Sequence, residues 1–162
     1  MRKAKGFSLI ELMIVVAIIL IVAAIALPNL IRSKLAANEA SATSSMRSIN
    51  TAEIAYNVTY PNVGYSATLS VLGPGSGSNC VTAGSATSTG ACLIDNVLQS
   101  GTKSGYVFSL TGSALVPATT YTSTGDPQVA GTSGQRHFYS DATGVIRANQ
   151  TNAATSADSP IQ

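Results

Sequence analysis

Few side chains in this sequence of 162 residues have both the type and the company that chemistry requires. His137 is its one histidine, set between Arg136 and Phe138 in a strand-like stretch, which suits a surface or edge position better than a general base. Asp95, Asp126, Asp141 and Asp158 are dispersed in turn-like contexts near Gly, Asn or Pro, so neither a carboxylate pair nor an acidic calcium loop emerges. Gly73-Pro74-Gly75-Ser76-Gly77 lacks the Gly-Lys-Ser/Thr ending and the strand-to-helix context of a phosphate loop. Cys80 and Cys92 are not spaced as C-x-x-C, and with a single His they do not complete a zinc site. In an oxidising compartment they can form a disulfide, worth roughly 3 kcal/mol by loop closure. Two free thiols are the alternative. Asn57-Val58-Thr59 and Asn149-Gln150-Thr151 match an N-glycosylation pattern, and the Ser/Thr-rich loops offer O-glycan acceptors. The carboxylate that asks for a reason is Glu11. It interrupts an apolar run that is otherwise free of charge from Phe7 to Leu27. On the insertion scale an ionised acid at the centre of a membrane helix costs about 2.5–3.5 kcal/mol, and less near the interface.

That run fixes the first element. Phe7–Leu27 is 21 residues, long enough as a helix to cross a bilayer core. Arg2, Lys3 and Lys5 precede it, which places the N-terminus in the cytoplasm and the rest of the chain outside the inner membrane. A cleaved secretory signal carries its small-residue site after the apolar stretch. Here Gly6 stands before it, so a cut there leaves the helix on the mature chain. Ala23, Ala24 and Ala26 can mimic a conventional site, but the helical pattern continues beyond Pro28. A simple membrane anchor, with Glu11 snorkelling to the headgroups, is the other plain reading.

A short basic leader ending in Gly6, the aromatic Phe7, Glu11 at the fifth position after the leader, and a long apolar helix together resemble the N-terminus of type IV prepilins and the related pseudopilins. The resemblance implies a prepilin peptidase that cuts between Gly6 and Phe7 and N-methylates the Phe7 amine. That amine then lies four residues, about one turn, before Glu11. The two charges can neutralise each other within a helix, or Glu11 can meet the amine of an adjacent subunit as the helix leaves the lipid. The resemblance further implies a helical homopolymer on the cell surface, built from an inner-membrane precursor by an assembly ATPase, a platform protein and an outer-membrane secretin. It implies a structural role, in keeping with residues that offer no catalytic constellation and no cofactor or metal site. Pro28 matches a family Pro that ends the apolar run. Leu20 stands where many pilins carry Gly, which implies that any melting of the assembled helix stays close to Pro28. The match is specific over residues 5–28, continues along the helix to Tyr56, and is architectural over the C-terminal half. A pseudopilin of a type II secretion system is the nearest alternative, and a membrane-anchored periplasmic binding domain or enzyme a further one.

Loss of the leader takes Arg2, Lys3 and Lys5 with it and changes the formal charge from +2 to −1. The remaining basic residues, Arg32, Lys34, Arg47, Lys103, Arg136 and Arg147, are scattered, so no nucleic-acid footprint exists. Residues 29–58 continue as an amphipathic helix. Leu35, Ala42, Met46, Ile49, Ala52 and Tyr56 form its apolar stripe, while Arg32, Lys34, Asn38, Glu39, Ser45 and Asn50 supply its polar faces. Tyr60-Pro61-Asn62-Val63-Gly64-Tyr65 ends it. Residues 59–103 read as a connecting region, with a short helical turn over Ala91–Leu98. Residues 104–148 carry three or four antiparallel strands: Tyr106–Leu110, Ala114–Thr122 around Pro117, Gln135–Ser140 and Gly144–Arg147, the last two joined through Asp141–Thr143. A polar tail, 149–162, follows. The expected fold class is α+β: a long N-terminal helix, half membrane-embedded and half packed on a small antiparallel sheet.

Overall fold

A computed structural model describes residues 7–75, 80 and 86–161. The leader and Gly6 lie outside the described residues, as does most of the Gly/Ser/Thr-rich stretch around Cys80. The chain divides into two compact units, one ending at Lys34 and the other beginning at Leu35.

The helix α1 spans Leu9–Thr59, with Pro28 inside it. Proline withdraws the backbone donor that the carbonyl four residues earlier would take. One residue on, the Asn29 side chain donates to the Ile25 carbonyl at 3.2 Å, adding a donor to the disturbed turn. In the second unit α1 buries the stripe Ala42, Met46, Ile49, Ala52 and Tyr56. After Thr59, Gly64 adopts φ +84° where the chain runs against the backbone of Ala118, a conformation that glycine reaches without steric cost.

Two short helices follow, α2 (Leu69–Leu72) and α3 (Asn96–Gln99). Asp95 caps α3 by accepting the Leu98 N–H at 2.6 Å. The helical turn expected over Ala91–Leu98 therefore begins only at Asn96. Ala91 and Leu93 instead donate to the carbonyls of Val71 and Leu72 at 2.8 and 2.7 Å, so the backbone bonds of this stretch go to α2. Cys80 and Cys92 are joined as a disulfide in the structure.

Five strands form one antiparallel sheet in sequence order: β1 (Thr102–Lys103), β2 (Tyr106–Gly112), β3 (Tyr121–Pro127), β4 (His137–Asp141) and β5 (Arg147–Asn149). This is the α+β arrangement, a long helix against an antiparallel sheet, that the sequence implied. The alternation of β2 turns Tyr106, Phe108 and Leu110 toward α1, and β4 adds Phe138. Two strand expectations need correction. Ala114–Thr120 is the β2–β3 connection: Ser113 N–H donates to the Thr120 carbonyl at 2.9 Å, and Leu115 and Val116 face solvent. Pro117 offers no ladder donor, and the strand instead begins at Tyr121. Likewise Gly144–Ile146 belongs to the β4–β5 connection, where Asp141 accepts from Thr143 N–H at 2.9 Å. The tail does not simply trail away from the sheet. Ala148 N–H donates to the Ser159 carbonyl at 3.1 Å and Ile161 N–H to the Ile146 carbonyl at 2.9 Å, so residues 159–161 line the β5 edge.

The polar face assigned to α1 also changes. Ser45 and Asn50 are buried, together with Glu53. Asn50 donates to Ser140 Oγ at 2.8 Å and to the Gly144 carbonyl at 3.2 Å, and accepts from the Tyr121 hydroxyl at 3.1 Å. A buried amide is tolerated because its donors and acceptor are matched.

Candidate functional site

The first unit presents the candidate site. Its large apolar side chains from Leu9 to Ile31 are each 47–75% exposed and lie all round the helix. α1 is also the one helix among the described residues long and apolar enough to cross a membrane. A helix apolar on every face has no stable home in water; it needs lipid or other protein.

Glu11 lies in the first turn of this helix. Leu12 N–H donates to the Ser8 carbonyl at 3.3 Å, the first helical bond, which makes Ser8 the N-cap and Glu11 the third helical residue. The Ser8 backbone N–H in turn donates to Glu11 Oε2 at 2.9 Å. This reach-back is one half of a capping box, and it favours a carboxylate at the positive end of the helix dipole. Sequence reasoning treated Glu11 as a partner for an amine or as a side chain snorkelling to the headgroups, and missed its contact with its own helix start. The Ser-x-x-Glu spacing of residues 8–11 was the signal for this second contact. Phe7, immediately before the cap, is 87% exposed. Pro28 lies 17 residues beyond Glu11 in the same helix, and Cys80 and Cys92 belong to the other unit.

Elsewhere the titratable groups serve the fold. His137 lies on β4, between β3 and β5 and so away from the sheet edge; its Nδ1 meets Asp126 Oδ1 at 2.7 Å. Burial pushes the Glu39 carboxyl up, but the Arg136 guanidinium and the Gln135 and Arg136 amides outweigh it, and the pKa is lowered. Glu39 Oε2 accepts from Arg136 Nε at 2.7 Å, tying α1 to the loop before β4. Glu53 differs: burial raises its pKa, and the Ser66 amide (2.9 Å) and hydroxyl, its hydrogen-bond partners, only partly oppose this. Asp95, Asp141 and Asp158 hold local backbone through Leu98, Thr143 and Thr155. Among the described residues no three His, Cys, Asp or Glu side chains are grouped as metal ligands.

The fold and the helix start together describe a pilin-like arrangement: an exposed apolar helix in the first unit, and a helix packed on an antiparallel sheet in the second. Comparison with known proteins agrees at the N-terminus, where a family model described as the prokaryotic N-terminal methylation motif matches residues 1–27. The chain thus carries the prepilin motif. It is 59% identical over 39 residues to the type IV wide pilus major component PilA4 of Thermus thermophilus, a match covering 24% of this chain and 30% of that protein. It is 47% identical over 51 residues to the type IV major pilin protein PilA of Myxococcus xanthus, covering 32% of this chain and 23% of that one. The matched stretch thus spans less than a third of either relative. No solved structure matches the chain.

Proposed function

We propose that this protein is a structural subunit of a type IV pilus, cut between Gly6 and Phe7, N-methylated on the Phe7 amine, and polymerised through residues 7 to about 58. The observation that carries the reading is an apolar helix exposed on all sides, whose one carboxylate stands at its start within a prepilin motif. The relatives that it matches, both major pilus components, point the same way. Before assembly the helix sits in inner-membrane lipid with its N-terminus in the cytoplasm. A prepilin peptidase releases the amine, and an assembly ATPase with its platform protein moves the subunit from lipid into a helical homopolymer on the cell surface. Glu11 then meets the amine of a neighbour, and Pro28 marks where the apolar half ends. Further along α1, Ile54 and Val58 are one turn apart and exposed, an apolar pair that a neighbouring subunit would cover. The role is structural rather than catalytic.

Two measurements test this. Mass spectrometry of the mature N-terminus should find methyl-Phe at residue 7; a mature chain beginning elsewhere rejects the processing scheme. Glu11→Val should insert into membranes normally and yield few or no sheared surface fibres. Native fibre yield from that variant would remove Glu11 from the assembly step.

A further inference from the structure

A carboxylate in an apolar helix needs partners at every stage of the subunit's life, and the structure shows one that requires no second chain. Glu11 Oε2 takes the backbone N–H of Ser8 at 2.9 Å, a bond made entirely within the first turn. An ionised carboxylate has about four acceptor positions over its two oxygens, and this bond uses one of them. Among the described residues Oε1 has no hydrogen-bond partner. The backbone donors at a helix start have no intrahelical acceptor, and lipid offers none.

We propose that Glu11 works through its two oxygens separately: Oε2 caps its own helix start in the unassembled subunit, while Oε1 stays open for an incoming amine. Assembly then adds a partner to a carboxylate that is already oriented. The Ser8 bond holds the side chain folded back along the first turn, toward the position where Phe7 precedes the cap. Only the second task requires a negative charge. An amide oxygen can also accept from Ser8 N–H, though more weakly than a carboxylate, so the two tasks separate chemically. The amine half of this inference rests on the pilus-subunit reading; the capping half does not.

The test uses the full-length chain and its Glu11→Gln and Glu11→Val variants. Amide hydrogen exchange at Ser8, followed by NMR in detergent micelles, reads the cap, and sheared surface fibre reads assembly. Native and Gln chains should both protect Ser8, while in the Val chain its exchange should quicken about tenfold over native, the effect of one lost hydrogen bond. Fibres should fail in both variants, since neither has the charge. Equal Ser8 exchange in all three chains overturns the cap even if fibres are lost. Ser8 exchange as fast in Gln as in Val also overturns it. If the Ser8 pattern is as expected but Gln and Val assemble normally, the cap stands and the charge-pairing half is overturned.

Discussion

Two carboxylates on the inner face of α1 respond oppositely to pH. Glu39 has its pKa lowered from the ordinary 4.5, because the Arg136 ion pair and two backbone donors outweigh its burial. Its stabilising contribution is present above that ordinary value and is lost as pH falls through the lower, folded value. Glu53 is buried with Ser66 as its hydrogen-bond partner and no cation beside it, and its pKa is raised from 4.5. The stability associated with Glu53 is fully present below that unfolded value and is lost as pH rises through the folded one. Glu53→Gln mimics the protonated acid: its oxygen can accept from Ser66 N–H and its amide can donate to Ser66 Oγ. At neutral pH this variant should be at least as stable as the native chain, and its advantage should vanish on acidification towards pH 4.5. Glu53→Ala should instead cost about 1–3 kcal/mol, because the buried Ser66 N–H is left without an acceptor. Denaturant titrations between neutral and acid pH measure both. A Gln variant less stable at neutral pH than at acid pH, relative to native, contradicts the assignment. Neither role was legible in the sequence. A charged residue within a helix reads as polar surface, and only the tertiary fold brings residue 66 beneath residue 53.

At the scale of elements, α1 and β3 show why some of the chain was legible and some was not. The helix announces itself through local spacing: Ala42, Met46, Ile49, Ala52 and Tyr56 recur every three or four residues, and each is buried. The strand β3 reads Tyr-Thr-Ser-Thr-Gly-Asp-Pro, a composition that signals a turn, while the Leu-Val pair just before it imitates a strand. Its small inward residues make sense only against their partners. Gly125 pairs with Phe108 across the ladder, and a Cβ at Gly125 would stand 3.1 Å from Phe108 Cε1 and 3.4 Å from Met46 Sδ. The ring and thioether already occupy the space a side chain would need, so a strand position that lacks a side chain still belongs to a packed core. Gly125→Val should therefore overpack the helix–sheet contact and cost about 1–3 kcal/mol. A midpoint shift in thermal or denaturant unfolding reads this directly. Unchanged stability would mean that Phe108 and Met46 are not packed over residue 125.

The whole molecule joins two chemistries that demand different surroundings. From Phe7 to Lys34 its large apolar side chains are exposed and belong to no core, whereas the second unit closes its own core around its part of α1, α2, α3 and the sheet. The helix start could be read from sequence because its information is contiguous: Gly6, Phe7, Glu11 and an uninterrupted apolar run need no tertiary context. The sheet could be expected only in outline, since its pairings join residues distant in sequence, and the site of residue 53 not at all. This division predicts how a truncated chain behaves. Among the described residues no buried core residue precedes Ala42, so a chain beginning at Leu35 removes none of them from the core. It should fold as a water-soluble monomer, losing about 1 kcal/mol through fraying of an uncapped first turn. Circular dichroism should show mixed helix and strand with cooperative melting. Its midpoint should lie within about 4–8 °C of that of the full chain in detergent, the shift expected for a change of this size in a small domain. Size-exclusion chromatography should give a monomer, because the helix that is apolar on every face has been removed with residues 1–34, and the exposed pair Ile54 and Val58 is too small to hold copies together on its own. A truncated chain that is unfolded, or that aggregates in the absence of detergent, would place the requirement for partners in the second unit instead.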